Sequence, residues 1–372
     1  MSNLQTTLTQ VKPWVALHDL VLLNCKLPDG SACELTDLEG RSFGAGILDR
    51  RDPQAAWRRF SWDPKAQFDL DYLVETMEAA VERRPEELCI RLVHSDADYL
   101  PGLTVDLYKD ILLVSSENAA TDVHLPAILE ILKEGYQPRD IVIRNENPSR
   151  SAFGLEPYIK THGENPIKGF WVGIDEMNYR VDPANQEKPL FPVEQREQQS
   201  LVGSLCTGRR ILETYSAAGA FALQALRQGA TEATALHPDS DCVKTIGANA
   251  QRNSLTVNAQ VADPAVYLSE ASAGDFEAIV LDPPADLAGG HEQLAQLQAD
   301  AFRILPEGGL LATYCRQSDL AADAFETMVA KAAASMGREA RLFARTAQPF
   351  DHPVLLNLPA SRKLCGLILQ VE

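Results

Sequence analysis

Apolar positions along the chain fall into short runs, and the spacing between them changes twice. Up to about residue 65 the runs are strand-like. Examples are Asp19-Leu20-Val21-Leu22-Leu23 and Ser42-Phe43-Gly44-Ala45-Gly46-Ile47-Leu48, punctuated by turn signals at Pro28-Asp29-Gly30 and Glu39-Gly40. This predicts a small β domain over residues 1–65. From 66 to 185 a helical stretch, Asp69 to Arg84, precedes strands near Thr104–Tyr108 and Ile111–Val114. A second helix around Leu125–Lys133 and a strand at Ile141–Arg144 follow. Helices inserted among strands predict a central α+β domain, with a loop from Asn145 to Asn165.

From residue 186 to 372 the pattern becomes strand–helix–strand. Expected strands are Arg210–Glu213, Thr231–Leu236, Phe276–Asp282, Gly309–Thr313 and Leu367–Val371, with another ending at Val261-Ala262-Asp263. Expected helices are Gly219–Gln228, Asp241–Arg252, Gln293–Ile304 and Ala321–Ser335. Repeated βαβ units predict an α/β fold with a doubly wound, Rossmann-like sheet.

Composition narrows the class. The chain has 372 residues, 45% hydrophobic and 23% charged, which is ordinary for globular domains. No apolar run approaches membrane-spanning length. Met1-Ser2-Asn3-Leu4 lacks the basic-then-apolar layout of a signal peptide, so a cytoplasmic location is expected. The seven cysteines are scattered, with no Cys-x-x-Cys pair, which argues against a disulfide framework or a zinc site. The net charge is −18, which counts against strong nonspecific nucleic-acid binding. A local patch stays open at Arg50, Arg51, Arg58 and Arg59, interleaved with Trp57, Phe60 and Trp62. It reads as an RNA contact or as a strand with a solvated arginine face and an aromatic core face.

The chemistry gathers at strand ends. Ala278-Ile279-Val280-Leu281 runs into Asp282-Pro283-Pro284, an acid followed by a stiff turn. In open α/β sheets ligands bind at the carboxyl ends of strands, so Asp282 marks either a pocket lip or a surface turn. Glu213-Thr214-Tyr215-Ser216-Ala217-Ala218-Gly219 has the small residues and helix-opening glycine of a nucleotide crevice. One βα unit later His237 stands where an acid usually takes ribose hydroxyls, with Asp239 two residues on. Asp263 could accept from an adenine amino group, or be a turn residue. Cys315 ends the Gly309–Thr313 strand region, and a thiolate there is a possible nucleophile. A buried strand-end cysteine is the alternative.

Together these motifs resemble the bacterial 23S ribosomal RNA cytosine-C5 methyltransferases, over nearly the whole length. Asp98-Tyr99-Leu100-Pro101-Gly102-Leu103-Thr104-Val105-Asp106 is close to that family's central-domain signature. Pro13-Trp14-Val15 and Gly40–Asp63 look like parts of its N-terminal PUA domain. Glu194-Gln195-Arg196, Asp282-Pro283-Pro284, Asp351-His352-Pro353-Val354 and Lys363-Leu364-Cys365-Gly366-Leu367 are similar to its later segments. The resemblance implies S-adenosylmethionine as cofactor, held by Glu213, Ser216, Gly219, His237, Asp263, Asp282, Gln195 and Arg196. It implies Cys315 and Asp282 as catalytic residues, RNA as partner and a homodimer. In the family chemistry a thiolate adds to cytosine C6, so that C5 can attack the methyl group.

Three positions depart from the family pattern: Ala218-Gly219-Ala220 for Thr-Gly-Gly, His237 for the ribose acid, and Tyr314-Cys315-Arg316-Gln317 for the Ser-Cys-Ser segment. Aligned without gaps, Arg316 takes the nucleophile position and Cys315 falls one residue early. In a regular strand that shift turns the side chain to the opposite face. Three readings share the fold: an active RNA methyltransferase with a displaced nucleophile, a non-catalytic RNA- or protein-binding relative, and a methyltransferase acting on another atom or substrate.

Overall fold

The computed structural model describes residues 3–22, 25–163, 167–185, 190–317 and 319–372, without the side chains of residues 3, 120, 148 and 149. Met1, Ser2, Leu23 and the end of the Asn145–Asn165 stretch lie outside the described residues. The chain separates into two compact units. One comprises residues 1–168 with 350–361, the other 169–349 with 362–372.

The first unit carries two sheets. In the six-stranded sheet the order is Trp14–Val15, Trp57–Ser61, Ser42–Leu48, Ala32–Asp37, Asn3–Thr6 and Leu20–Val21. Gly46 is required where the strands cross closely, since a Cβ there would lie 2.3 Å from the buried Trp57 ring. The five-stranded sheet runs Tyr158–Thr161, Asp140–Asn145, Ile111–Ser116, Leu103–Tyr108 and Cys89–His94. Two helices accompany it. Leu70–Glu82 is capped by Asp69, whose carboxylate accepts from the Tyr72 amide. Ala119–Tyr136 starts six residues earlier than Leu125, because Asn118 caps it and Pro126 is tolerated at the start of its third turn. Ala45, Ile47 and Phe60 of the first sheet share one hydrophobic cluster with Leu73, Val105, Val114 and Ile141 of the second region. At the level of packing, residues 1–65 and the α+β elements thus form one body. The expected 145–165 loop contains a short helix, Pro148–Ala152, and the Tyr158–Thr161 edge strand.

The second unit opens with a hairpin, Phe170–Ile174 and Met177–Val181. Its seven-stranded sheet comprises, in chain order, Arg210–Thr214, Glu232–His237, Asn258–Val261, Ala278–Leu281, Leu310–Cys315, Ala340–Ala347 and Cys365–Val371. The spatial order is 3-2-1-4-5-7-6. The first five strands are parallel, and the last inserts antiparallel to both neighbours. This is the expected doubly wound, Rossmann-like core, reversing between its first and fourth strands. Side chains alternate between two clusters, as strand geometry demands. Leu212, Ile279, Leu281, Leu311 and Cys315 pack with the helices Pro264–Glu270, Gly290–Ile304 and Ala322–Ser335. Ile211, Val280, Ala312 and Tyr314 pack with Arg196–Ser204, Ala220–Arg227 and Ser240–Arg252 on the other face.

Candidate active site

The carboxyl ends of the first four strands, and the residue after the fifth, open on a cavity of about 700 Å³. That is well within the range of ligand sites. Its wall includes Glu194, Glu213, Tyr215, Ser216, Phe221, His237, Asp263, Asp282, Leu287 and Arg316. The Asp282 turn is therefore a pocket lip.

The loop after the first strand is built by its own sequence. Tyr215 and Gly219 both take positive φ, 55° and 73°. At Gly219 a Cβ would come 2.8 Å from Ile246, so glycine is needed there although it is not itself on the cavity wall. Ser216 Oγ accepts from the Gly219 amide at 2.8 Å, and Asn249 Nδ2 donates to the Ala218 carbonyl at 2.9 Å. Glu213, 4% exposed, accepts from the Ala222 amide at 2.9 Å. Burial pushes its carboxyl up to about 7, against the lowering effect of hydrogen bonds from Ala222, Ser216 and Phe221.

His237 ends the second strand and accepts the Asp239 amide on Nδ1 at 2.9 Å. The neutral ring then carries its proton on Nε2. Burial lowers its pKa and favours that neutral form. An acid at this place offers acceptors, whereas His237 offers a donor. Asp239 itself caps the following helix through the Asp241 amide at 2.7 Å. Asp263 likewise caps the Pro264–Glu270 helix through Ala265 N at 2.8 Å, while also lining the cavity.

Asp282 is held by Arg316 in a bidentate pair, Nε to Oδ1 at 2.9 Å and Nη2 to Oδ2 at 3.0 Å. The third nitrogen, Nη1, donates to Glu194 Oε1 at 2.5 Å. Burial works against the guanidinium charge, but the carboxylates of Asp282 and Glu194 outweigh it and hold Arg316 firmly protonated. Among the described residues of the wall, five carboxylates (Glu194, Glu213, Asp263, Asp282, Asp286) face this one arginine.

Other expected site residues lie elsewhere. Cys315 is 3% exposed and belongs to the cluster on the opposite face of the sheet, with Leu311, Phe325 and Val329. It does not line the cavity. The strand stays regular through Cys315, paired with Cys365, so the one-residue shift turns its thiol into the core. A hydrogen bond from Cys365 lowers the Cys315 pKa to about 7, against burial, and raises that of Cys365. Gln195 and Arg196 are buried below the wall, 0% and 5% exposed, with Glu194 the member of that segment that reaches the cavity.

The four candidate RNA-contact arginines, all in the first unit, also have partners within it. Arg58, 9% exposed, bonds Asp52 at 2.6 Å and Asp96 at 3.4 Å, beneath the Trp14 ring. Arg50 bonds Asp29 at 2.8 Å and the Leu27 carbonyl at 2.6 Å. Arg51 bonds Asp49 at 3.0 Å. Arg59 is buried to 6% exposure and stacks at 3.6 Å on Trp62, which is 59% exposed. Arg50, Arg51 and Arg58 are thus ion-paired within the unit, and Arg59 stacks on an aromatic rim.

Glu194 and Arg316 were not among the expected site residues. Arg316 was signalled by parity: it lies one past Cys315, on the same side as Asp282.

Comparison with known proteins agrees with this geometry. Residues 190–340 match the family model described as Conserved hypothetical protein 95. A ribosomal RNA large subunit methyltransferase I of Aeromonas salmonicida is 27% identical over 99% of this chain and 97% of its own. That of Aeromonas hydrophila is 28% identical with the same coverage. Among solved structures, a SAM-dependent methyltransferase from Streptococcus mutans superposes over the whole of both chains with TM-score 0.83 at 18% identity. Another methyltransferase, complexed with SAH, gives 0.84 at 17%. The fold is thus that of Rossmann-like SAM-dependent methyltransferases, and along 99% of its length the chain resembles the bacterial ribosomal RNA large subunit methyltransferase I proteins.

Proposed function

We propose that the protein is an S-adenosylmethionine-dependent methyltransferase acting on large-subunit ribosomal RNA. The observation that carries this reading is the cavity where four successive parallel strands end on Glu213, His237, Asp263 and Asp282. The wall fits the donor. Its excess of carboxylates suits a ligand with a sulfonium and an ammonium. The Nε2 proton of His237 suits a ribose oxygen. Asp263 suits the adenine amino group, between the apolar surfaces of Pro264 and Leu287. Glu213 suits the ammonium, its carboxyl becoming ionised as the cation arrives. When bound, the donor supplies an electrophilic methyl group; the chain orients it and excludes water.

The RNA part of the reading is supported by the full-length relatives and by exposed Trp62 stacked on Arg59, a face on which a base can stack. The resemblance adds finer expectations: that the sheet within residues 1–65 is a PUA-like domain, that 66–185 and 186–372 are central and catalytic domains, that the protein is a homodimer, and that it is cytoplasmic. Among the described residues no helix is long and apolar enough to cross a membrane.

Isothermal titration with S-adenosylmethionine should show saturable binding at micromolar concentration, weakened at least tenfold in Asp263→Ala. Radiolabelled methyl groups should enter large-subunit RNA. No heat of binding up to millimolar donor would refute the reading.

A further inference from the structure

We infer that this cavity transfers methyl groups without a protein thiol, to a nucleobase nitrogen that supplies its own lone pair, with Arg316 as a positioning residue. The inference rests on the methyltransferase reading above and concerns the acceptor.

Carbon 5 of cytosine becomes nucleophilic only when a thiolate adds at C6. Among the described residues lining the cavity none is a cysteine. Cys315 faces the Gly290–Ile304 and Ala322–Ser335 helices through the far side of the sheet. Its place at the reacting end is taken by Arg316, which cannot act as a nucleophile. Nor can Arg316 swing away cheaply. Three of its nitrogens are engaged by Asp282 and Glu194, and its side chain keeps only 20% of its exposure.

The remaining chemistry of the wall selects among acceptors. A hydroxyl acceptor needs a strong base to remove its proton, and the wall's candidates are engaged: His237 Nδ1 accepts the Asp239 amide, and Asp282 and Glu194 are held by Arg316. A base nitrogen needs no prior deprotonation. As it bonds to the methyl carbon with its own lone pair, the carbon–sulfur bond breaks toward sulfur. Positive charge then develops on the nitrogen, which a wall of five carboxylates against one guanidinium stabilises. An exocyclic amino nitrogen then gives its extra proton to a cavity carboxylate and on to water, whereas a ring nitrogen, which carries none, keeps the positive charge. Arg316 fixes the Asp282 and Glu194 carboxylates through the step, touching them rather than the reacting atoms.

The test uses the full-length protein, S-adenosylmethionine and large-subunit RNA transcribed with 5-tritiated cytosine. Methyl transfer should proceed with no release of tritium to water. Alkylation of Cys315 by iodoacetamide, followed by peptide mass spectrometry, should be at least a hundredfold slower in the native protein than in urea, and unchanged by S-adenosylhomocysteine. Tritium release equal to methyl transfer, or a methyl group found on a ribose oxygen or a base carbon after digestion to nucleosides, would overturn the inference. So would fast alkylation that S-adenosylhomocysteine blocks. Absence of donor binding in calorimetry would instead remove the methyltransferase reading itself, and the inference with it.

Discussion

Glu213 gives the sharpest quantitative expectation. Its carboxyl is buried against the first turn of the Ala220–Arg227 helix and pushed up to about 7 from an ordinary 4.5. A raised carboxylic acid stabilises the fold, relative to its ionised form, only while it stays protonated. That contribution is fully present below 4.5 and is lost as pH rises through 7. The raised pKa thus lowers stability by about 1 kcal/mol at pH ~5.5, where only the unfolded chain ionises, and by about 3 kcal/mol at pH ~8.5, by linkage. Glu213→Gln cannot ionise and keeps an oxygen able to accept from Ala222. Its Tm relative to wild type should therefore rise with pH. The growth between those two values is about 2 kcal/mol, or roughly 4–8 °C for a unit of this size. Differential scanning calorimetry of the ligand-free protein reads it directly. A Tm difference that is flat or falls with pH would refute the argument. In the same variant S-adenosylmethionine binding should weaken, since the wild-type carboxylate is the form that faces a cation. Wild-type affinity should strengthen between pH ~6 and ~8, a trend absent from the variant.

Two further outcomes follow from the ion pairs. Arg316→Met leaves Asp282 and Glu194 facing each other without a cation. Removing one partner of a fully buried pair costs about 3–5 kcal/mol; with these groups partly exposed about 1–3 kcal/mol is expected, seen as a Tm lower by roughly 2–12 °C. An unchanged Tm would show that the clamp is absent in solution. Arg58→Met should also lower Tm by several degrees, because Asp52 and Asp96 lose their shared cation. RNA affinity of the folded variant should change less than twofold in gel-shift titration. A normal Tm with a large loss of RNA binding would return Arg58 to the role of an RNA contact.

The strands that form the cavity were legible because buried parallel strands are continuous apolar runs. Ala278–Leu281 and Leu310–Cys315 are buried throughout. Ala340–Ala347 escaped notice because it is an edge strand whose Arg341 and Arg345 face solvent. The Pro264–Glu270 helix escaped because two turns carry too little periodicity to read. At the site, Asp282, Glu213 and His237 were readable as strand ends. The choice between Cys315 and Arg316 turned on parity, which holds only if the strand stays regular to its last residue, and only the three-dimensional pairing with Cys365 decides that. The arginine cluster stayed open in the sequence for a different reason. Asp49 and Asp52 lie close to Arg51 and Arg58 in the chain, but two further carboxylate partners are 21 and 38 residues away, for Asp29–Arg50 and Arg58–Asp96, beyond any local pattern.

The segment 350–361 bears on how the chain is made. It leaves the second unit after the Ala340–Ala347 strand and packs as part of the first, where Asp351, 0% exposed, accepts from the Arg91 amide at 2.7 Å. The chain then returns to insert Cys365–Val371 between two strands already made. A nascent chain on the ribosome therefore completes neither unit until residues 350–371 have emerged. Arg84, whose guanidinium donates to the Asp351 carbonyl at 3.2 Å, waits for most of translation without that partner. Folding of both units is deferred to the same late moment, and a chain cut at residue 349 leaves two unfinished halves rather than one finished and one missing.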